Sequence, residues 1–340
     1  MSAQLPLVCS LQEARRRAGS DAEAPGLARR LRAQGVPAVC ILGEPFDWID
    51  TPHACGWLSD SPADPAAYEA AVQAACARGF VAADALIVAR MATPVPLPLL
   101  SWDEELPQAP AAAAAPRRLD LYAIVDSAAR LRQVLDAGVA TVQLRIKTPP
   151  APDAAWHDAL RTEVRQAIED SRAAGATLFV NDHWELAQAL GAPGVHLGQE
   201  DLLALGQQGR ARLRATGMAL GVSSHSLWEL ARARTLSPRY IACGPVWATL
   251  TKDMPWLPQG LDNLDWWRRA AGVPVTAIGG ILAPQQVQAA ASTGVDGVCI
   301  VRGLGDDPGQ TVPAFEAALR AGRADPLRGL PAWPHPTLPH

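Results

Sequence analysis

The chain has 340 residues, of which 49% are hydrophobic, with a formal net charge of −4 and a pI near 6.0. This length allows two domains or one large barrel with an appendage, and the weak acidity offers no basic surface for nucleic acid or a membrane. The start has no signal-peptide pattern, and no apolar run reaches 18 residues, so we expect a cytoplasmic protein. The six cysteines form no C-x-x-C pair, which favours free thiols.

The first third of the chain alternates between short apolar runs and helix-like stretches. Strands are predicted at Pro6–Ser10 and Ala38–Leu42, and helices at Pro25–Ala33 and Ala66–Ala77. We expect residues 1–103 to form a small or degenerate α/β lobe, because this stretch is too short for a barrel and has no clear phosphate loop. Residues 104–118 are rich in Pro and Ala and are predicted to be a linker.

After the linker, β-branched apolar runs alternate regularly with longer amphipathic segments. The eight predicted strands are Leu119–Val125, Ala140–Leu144, Thr177–Val180, Gly194–Leu197, Met218–Val222, Tyr240–Cys243, Pro274–Ile278 and Gly297–Val301. Eight such units in about 200 residues predict an α/β fold, a (β/α)8 TIM barrel over residues 119–322, with a doubly wound open sheet as the alternative. Residues 323–340 form a Pro-rich tail that we expect to be unpacked.

Unusual residues, most of them polar or glycine, stand at the end of seven of the eight predicted strands or directly after it. They are Gln143, Arg145 and Lys147, then Asn181, Asp182 and His183, then Asp201, Ser223 and His225, then Thr249, Thr251 and Lys252, then Gly279 and Gly280, and finally Val301, Arg302 and Gly303. Because parallel barrels form their sites where the strands end, these residues are predicted to meet at one rim.

Two residues of this set are the only lysines, although Lys and Arg together number 30. Lys147 and Lys252 suggest places where a compact ammonium suits a phosphate oxygen better than a planar guanidinium. The alternative is that two lysines remain by chance. With Arg145 and Arg302 they make the rim positive, which suits an anionic substrate.

Two carboxylates interrupt this positive rim. Asp182 and Asp201 would repel an anion unless a divalent cation lies between, and Mg²⁺ takes one or two carboxylates together with phosphate oxygens. We therefore predict a metal-bound diphosphate, with helix capping as the alternative role of both aspartates. Gly279, Gly280 and Gly303 indicate a second phosphate site, since glycine leaves backbone N–H groups accessible, although a tight turn is the simpler explanation.

Hydroxyl and imidazole side chains complete the predicted rim. Ser223, Thr249 and Thr251 are either turn residues or neutral donors to phosphate or ring nitrogens. The histidines at 183, 196 and 225 are expected to be structural rather than catalytic.

Several sequence motifs of the barrel segment resemble those of the thiamine-phosphate synthase family. They are VQLRIK (142–147), FVNDHWELA (179–187), GVHLGQEDL (194–202), LGVSSHS (220–226), IACGPVWATLTKDMPWLPQGL (241–261) and AIGGI (277–281). They keep the order and nearly the spacing of that family from about residue 119 to residue 305. The resemblance implies a transferase that joins 4-amino-2-methyl-5-hydroxymethylpyrimidine diphosphate to 4-methyl-5-hydroxyethylthiazole phosphate.

The resemblance also implies a role for each matching residue. The pyrimidine diphosphate would be held by Gln143, Arg145, Lys147, Asn181, Ser223 and Lys252. Asp182 and Asp201 would bind Mg²⁺, and the thiazole phosphate would be held by Thr249, Thr251, Gly280 and the Val301–Arg302 turn. Arg302 departs from the small hydroxyl residue common in the family, which leaves its contact open. The partners would be small molecules, not nucleic acid or a membrane, and a homo-oligomer stays open.

The N-terminal third bears a fainter resemblance. Thr51–Leu58 and the helix after it are similar to the end of a hydroxymethylpyrimidine-phosphate kinase. The glycine-rich anion loop of those kinases is not intact here and the segment is too short, so no kinase activity is expected, and a role in packing or oligomer formation is the alternative. Two other functions remain for the barrel: a thiazole tautomerase-like isomerase, or a non-catalytic sensor of phosphorylated thiamine intermediates. The aspartate pair and both lysines favour the transferase over these.

Overall fold

The structure is a computed structural model that describes residues 5–91, 97–110, 118–249, 255–331 and 333–338. Its strands form a four-stranded sheet near the N-terminus and a closed barrel of eight strands. Both the predicted (β/α)8 barrel and the predicted N-terminal lobe are confirmed. No helix among the described residues is long and apolar enough to cross a membrane.

The N-terminal lobe is a mixed sheet covered by helices. Its elements are β1 Leu7–Ser10, α1 Leu11–Ala18, α2 Ala24–Ala33, β2 Val39–Leu42, β3 Asp47–Asp50, β4 Cys55–Leu58, α3 Pro65–Ala77 and α4 Ala82–Val88. β1 pairs with β2 in parallel, whereas β2, β3 and β4 are antiparallel neighbours. Both strands and both helices predicted for this region are present, and β3, β4, α1 and α4 are additions to them.

The barrel follows the predicted strands closely. Its strands are β5 Asp120–Val125, β6 Thr141–Leu144, β7 Thr177–Asn181, β8 Gly194–Leu197, β9 Ala219–Ser224, β10 Tyr240–Cys243, β11 Val275–Ala277 and β12 Gly297–Ile300. Its helices are α5 Ala128–Asp136, α6 Ala154–Ala173, α7 Trp184–Leu190, α8 Gln199–Ala204, α9 Gly206–Ala215, α10 Leu227–Ala233, α11 Gly260–Ala270, α12 Pro284–Ser292 and α13 Pro308–Ala324. Each strand pairs in parallel with the next in sequence, and β12 closes onto β5.

Local sequence explains where several barrel helices begin. The side chains of Ser127, Asp153 and Ser226 accept hydrogen bonds from backbone N–H groups in the first turns of α5, α6 and α10. Such caps satisfy donors that have no partner within the helix. The strands are buried on both faces: one side packs against the helices, and the other fills the barrel interior with side chains such as Tyr122, Phe179 and Tyr240.

The lobe and the barrel share one hydrophobic core, and the two parts are in contact at α10. All seven residues of α10 are buried, whereas a barrel helix usually exposes its outer face. Asp84 of the lobe accepts a hydrogen bond of 3.0 Å from the Trp228 backbone N–H. The buried Arg232 donates to the carbonyl oxygens of Cys55 and Ser101. These polar contacts satisfy groups that would otherwise be buried without partners.

The prediction of an unpacked tail is wrong for its described part. Thr337 and Leu338 are buried, and the Leu257 backbone N–H donates to the Thr337 carbonyl oxygen at 2.8 Å. The His335 backbone N–H donates to Asn263 Oδ1 at 2.9 Å. Proline removes backbone donors but leaves carbonyls and side chains able to bind, so this Pro-rich segment packs without forming a helix or strand.

Candidate active site

A cavity of about 380 Å³ opens at the rim where the barrel strands end. The predicted site residues on its wall are Gln143, Arg145, Asn181, Asp182, Asp201, Ser223, Thr249, Gly280, Val301 and Arg302. Ile124, Ile278 and Cys299 also line it and give it an apolar part. The cavity thus combines charged and apolar lining residues, as small-molecule sites usually do.

Three predicted site residues are not among the described residues of this wall. Lys147 is exposed and does not line the cavity, although Arg145, two positions earlier, does. Thr251 and Lys252 lie outside the described residues. Their neighbours on either side belong to the site region, because Thr249 lines the cavity and Trp256 stacks on His225, another wall residue.

A chain of buried hydrogen bonds crosses the barrel beneath the cavity. Gln143 Nε2 donates to the Tyr122 hydroxyl at 3.0 Å, and the hydroxyls of Tyr122 and Tyr240 lie 2.8 Å apart. His196 then bonds to the Tyr240 hydroxyl at 2.8 Å and to the Ser223 hydroxyl at 2.9 Å. Two predicted substrate-binding side chains, Gln143 and Ser223, are therefore the ends of one network, which restricts their orientation.

This network stays uncharged at neutral pH. Burial, aided by Arg145 and His225, lowers the pKa of His196 to about 3. Burial likewise raises the pKa of both tyrosines, so their hydroxyls keep their protons. A neutral imidazole with both nitrogens engaged orients its partners rather than carrying a proton to substrate, which agrees with the structural role expected for His196.

The other two histidines differ in their placement. His183 bonds through Nε2 to the Ile146 carbonyl oxygen at 2.9 Å and is absent from the described wall of this cavity. His225 lines the cavity, and its Nδ1 lies 2.9 Å from Glu229 Oε2. The same carboxylate oxygen accepts a hydrogen bond of 2.6 Å from the His225 backbone N–H. Glu229 therefore restrains both the ring and the backbone of this wall residue.

The two aspartates line the same cavity from neighbouring strand ends, Asp182 in the loop after β7 and Asp201 in the first turn of α8, which follows β8. Asp182 follows β7 with φ of +62°, a left-handed conformation that is uncommon outside glycine and often marks a functional position. The alternative role of Asp182 as a helix cap is wrong, since His183 occupies the N-cap of α7 and no side-chain cap bond forms there. Asp201 does cap locally, because its Oδ2 accepts a hydrogen bond of 3.0 Å from the Gly198 N–H.

The electrostatics of this pair suit a divalent cation. Burial raises the pKa of Asp182, and the Asp201 carboxylate adds to the rise, while Arg145 opposes it. Two carboxylates that repel each other across a cavity are stabilised when a hard cation lies between them. The described residues contain no cluster of three or more His, Cys, Asp or Glu side chains for a metal. Two carboxylates are a donor set that suits Mg²⁺, because phosphate oxygens and water complete its ligands.

The turn after β11, Gly279–Gly280, brings its backbone to the side of the cavity opposite the loop after β7. Gly279 and Gly280 have φ of +93° and +71°. A Cβ on Gly280 would lie 2.7 Å from Cβ and the carbonyl oxygen of Trp247. Only glycine therefore fits this close approach, and the turn presents backbone to the cavity beside the Val301–Arg302 turn.

We expect Gly280→Ala to raise the KM for a phosphorylated substrate by about tenfold or more. The new methyl group would displace Trp247, and alanine would be strained at the positive φ of position 280. Steady-state kinetics with each substrate varied in turn measures this. Gly175→Ala is the matched control: Gly175 has φ of +65°, but a Cβ added there would have no neighbouring atom within 4 Å. An equal change in KM for both variants would contradict the role of the turn.

The closed barrel, the rim cavity and its mixture of carboxylates, cations and glycine turns define a (β/α)8 enzyme acting on phosphorylated small molecules. Residues 121–304 match the family described as thiamine monophosphate synthase (TMP-TENI). The chain belongs to this thiamine monophosphate synthase family. Its N-terminal lobe lies outside the matched residues.

Individual relatives agree with this assignment. The chain is 42% identical over 193 residues to thiamine-phosphate synthase of Rhizobium etli, covering 56% of this chain and 90% of the relative. It is 43% identical over 202 residues to that of Photorhabdus laumondii, covering 58% and 88%. The solved thiamine phosphate pyrophosphorylase of Pyrococcus furiosus superposes with a TM-score of 0.52 and 25% identity, covering 61% and 98%. The prediction of a transferase of the thiamine-phosphate synthase type is confirmed.

Sequence reasoning missed some members of the site. The sequence patterns place Tyr122 and Tyr240 only in strands, and they do not distinguish Glu200, which lines the cavity. A signal for the tyrosines was present: each is a polar aromatic within an otherwise apolar strand, and a buried tyrosine hydroxyl usually has a hydrogen-bond partner.

Proposed function

We propose that this cavity joins 4-amino-2-methyl-5-hydroxymethylpyrimidine diphosphate to 4-methyl-5-hydroxyethylthiazole phosphate and releases diphosphate. One observation supports this most directly: Asp182, Asp201 and Arg145 share a cavity with the Gly279–Gly280 turn. The first group suits a metal-bound diphosphate, and the turn suits a separate phosphate. A barrel for a single phosphorylated substrate would need only the second feature.

We infer that Asp182 and Asp201 hold Mg²⁺. Bound there, Mg²⁺ would stabilise negative charge on the departing diphosphate. Arg145 lies close enough to influence the charge of Asp182, so its guanidinium can bind diphosphate oxygens beside the same carboxylates. Asn181 would position the diphosphate, and Lys147 and Lys252 would add positive charge from the rim.

The pyrimidine ring would be oriented by Gln143 and Ser223. Their side chains are held by the buried network through Tyr122, Tyr240 and His196. Apolar wall residues such as Ile124 of β5 would support the flat ring. Fixed donors of this kind hold the reacting methylene in place without reorganisation during the reaction.

The bond changes need no general base. The C–O bond between the pyrimidine methylene and diphosphate breaks, and its electron pair leaves with diphosphate. The electron-rich aminopyrimidine stabilises the resulting cation, and the lone pair of the thiazole nitrogen forms the new C–N bond. That nitrogen carries no proton, which is consistent with the neutral, fully bonded His196. Thr249, Thr251, Gly280 and the Val301–Arg302 turn would hold the thiazole phosphate.

The direct test mixes both substrates with the full chain, with and without Mg²⁺, and measures thiamine phosphate and diphosphate. We expect both products in equal amounts, and only with the divalent cation. Product formed equally well after chelation would contradict the metal assignment. Tautomerisation of a thiazole substrate without release of diphosphate would instead support the isomerase. Binding without any turnover would support the sensor.

The remaining predictions concern the setting of the reaction. We infer that the enzyme works in the cytoplasm on small molecules, with no nucleic acid or membrane partner. The proposed division is a lobe at 1–103, a linker at 104–118, a barrel at 119–322 and a tail at 323–340. The likeness of the lobe to a kinase end stays a prediction, and no kinase activity is proposed.

A further inference from the structure

The cavity wall is held in part by segments outside the family-matched barrel. His225 is a wall residue restrained by Glu229 of α10. The lobe packs against α10, and the tail packs against the segment that precedes and begins α11. Both contacts lead back to His225 through short chains of hydrogen bonds or stacked rings.

The first chain begins in the lobe at Asp84. Its Oδ1 accepts the Trp228 N–H, in the first turn of α10, and Trp228 directly precedes Glu229. Burial raises the pKa of the Asp84 carboxyl to about 8, so the group is largely neutral at pH 7 and acts as a hydrogen-bond partner. The lobe thus fixes the start of the helix whose Glu229 binds His225.

A series of aromatic ring contacts also connects the lobe to His225. His53, in the β3–β4 turn of the lobe, has its ring centroid 5.3 Å from that of Trp228. Trp228 lies 5.4 Å from Trp256, and Trp256 stacks on His225 at 5.3 Å with an interplanar angle of 10°. His225 is therefore held between the carboxylate of Glu229 and the face of an indole that the lobe helps to support.

The second chain begins in the tail at His335. Its Nε2 lies 2.9 Å from the Gln259 carbonyl oxygen, and Gln259 is fully buried. Gln259 Nε2 donates to the His225 carbonyl oxygen at 2.8 Å. The Gln259 backbone N–H also donates to the Pro245 carbonyl oxygen at 2.8 Å, and Pro245 lines the cavity.

We propose that Asp84 of the lobe and His335 of the tail are positioning residues for the substrate cavity. Asp84 acts on His225 through Trp228 and Glu229 of α10, and His335 acts on it through Gln259. Neither residue touches the cavity itself among the described lining residues. The lobe and the tail thereby help to position a wall residue of the cavity, although neither contributes a described residue to that wall. The kinetic consequence rests on the proposed function, whereas the effect on His225 does not.

The test compares Asp84→Ala and His335→Ala with the full-length wild type. Stacking on Trp256 shifts the His225 ring protons through the indole ring current, and a His225→Gln variant identifies their NMR signals. We expect both remote variants to move these signals toward the positions of an unstacked histidine. We also expect kcat/KM for thiamine phosphate formation to fall by about tenfold. Asp84→Asn should restore both readouts, because its amide oxygen keeps the acceptor for the Trp228 N–H.

A control separates positioning from simple loss of stability. Ile41→Val removes one buried methylene from the other hydrophobic cluster of the lobe, away from α10. We expect it to lower the thermal unfolding midpoint without moving the His225 signals or kcat/KM. Unchanged His225 signals in Asp84→Ala and His335→Ala, or an equal shift in Ile41→Val, would overturn the proposal. If the wild type forms no thiamine phosphate, the proposed function fails, and the His225 signals still decide the positioning role.

Discussion

Asp182→Asn is expected to lower the rate of thiamine phosphate formation by about 10²-fold or more. The amide keeps the size of the side chain and removes the negative charge that would hold a divalent cation opposite Asp201. Asparagine also tolerates the left-handed backbone at this position, where φ is +62°, so the fold should survive. Initial rates measured over a series of Mg²⁺ concentrations give both the maximal rate and the apparent metal affinity.

Two further measurements make this prediction specific. Asp158→Asn, at an exposed position on α6, is the matched control and should leave the metal dependence as in the wild type. Calorimetry with Mg²⁺ and inorganic diphosphate should show weaker joint binding in Asp182→Asn alone. An Asp182→Asn enzyme with wild-type turnover at all Mg²⁺ concentrations would refute the assignment of this carboxylate.

Lys252→Ala is expected to lower turnover by about 10²-fold or more, comparable to the loss of one transition-state donor. The ammonium would stabilise charge on the departing diphosphate, so the loss should appear in kcat rather than in KM alone. Single-turnover kinetics with both substrates saturating measures the chemical step. Near-normal turnover would refute the role.

Other substitutions show whether Lys252 acts through its shape as well as its charge. Lys252→Arg keeps the charge in a chain that uses Arg for 28 of its 30 cationic side chains, 30 less the two lysines. We expect only partial activity from it, because a planar guanidinium and a compact ammonium differ in how they approach phosphate. Lys147→Ala should cost less than Lys252→Ala, because Lys147 is exposed and off the described cavity wall.

Much of the barrel follows from patterns that are local in sequence. All eight predicted strands are present with boundaries that differ by no more than two residues, as for Met218–Val222 and β9. Parallel strands are buried on both faces, so each leaves a continuous apolar run that can be read without tertiary information. The rim location of Asp182, Asp201 and Arg145 followed from the same pattern, because strand ends in a closed barrel converge.

Other features could not be read in this way, because they depend on contacts between residues far apart in sequence. The bond between Asp84 and Trp228 joins positions 144 residues apart, and the network from Gln143 to Ser223 needs residues of five strands to meet. The prolines of the tail favour no regular element and therefore predict an unpacked segment, yet His335 and Thr337 bind the segment around Gln259. Composition indicates the absence of helix or strand, not the absence of packing.

By itself, the sequence determined the barrel, its rim and the charges gathered there, because apolar periodicity and strand-end position are properties of neighbouring residues. Only the tertiary structure decided that Lys147 lies off the cavity wall, that His196 is neutral and fully bonded, and that lobe and tail both reach His225. These outcomes depend on burial and on the direction of each side chain, which are set by the packing of distant segments.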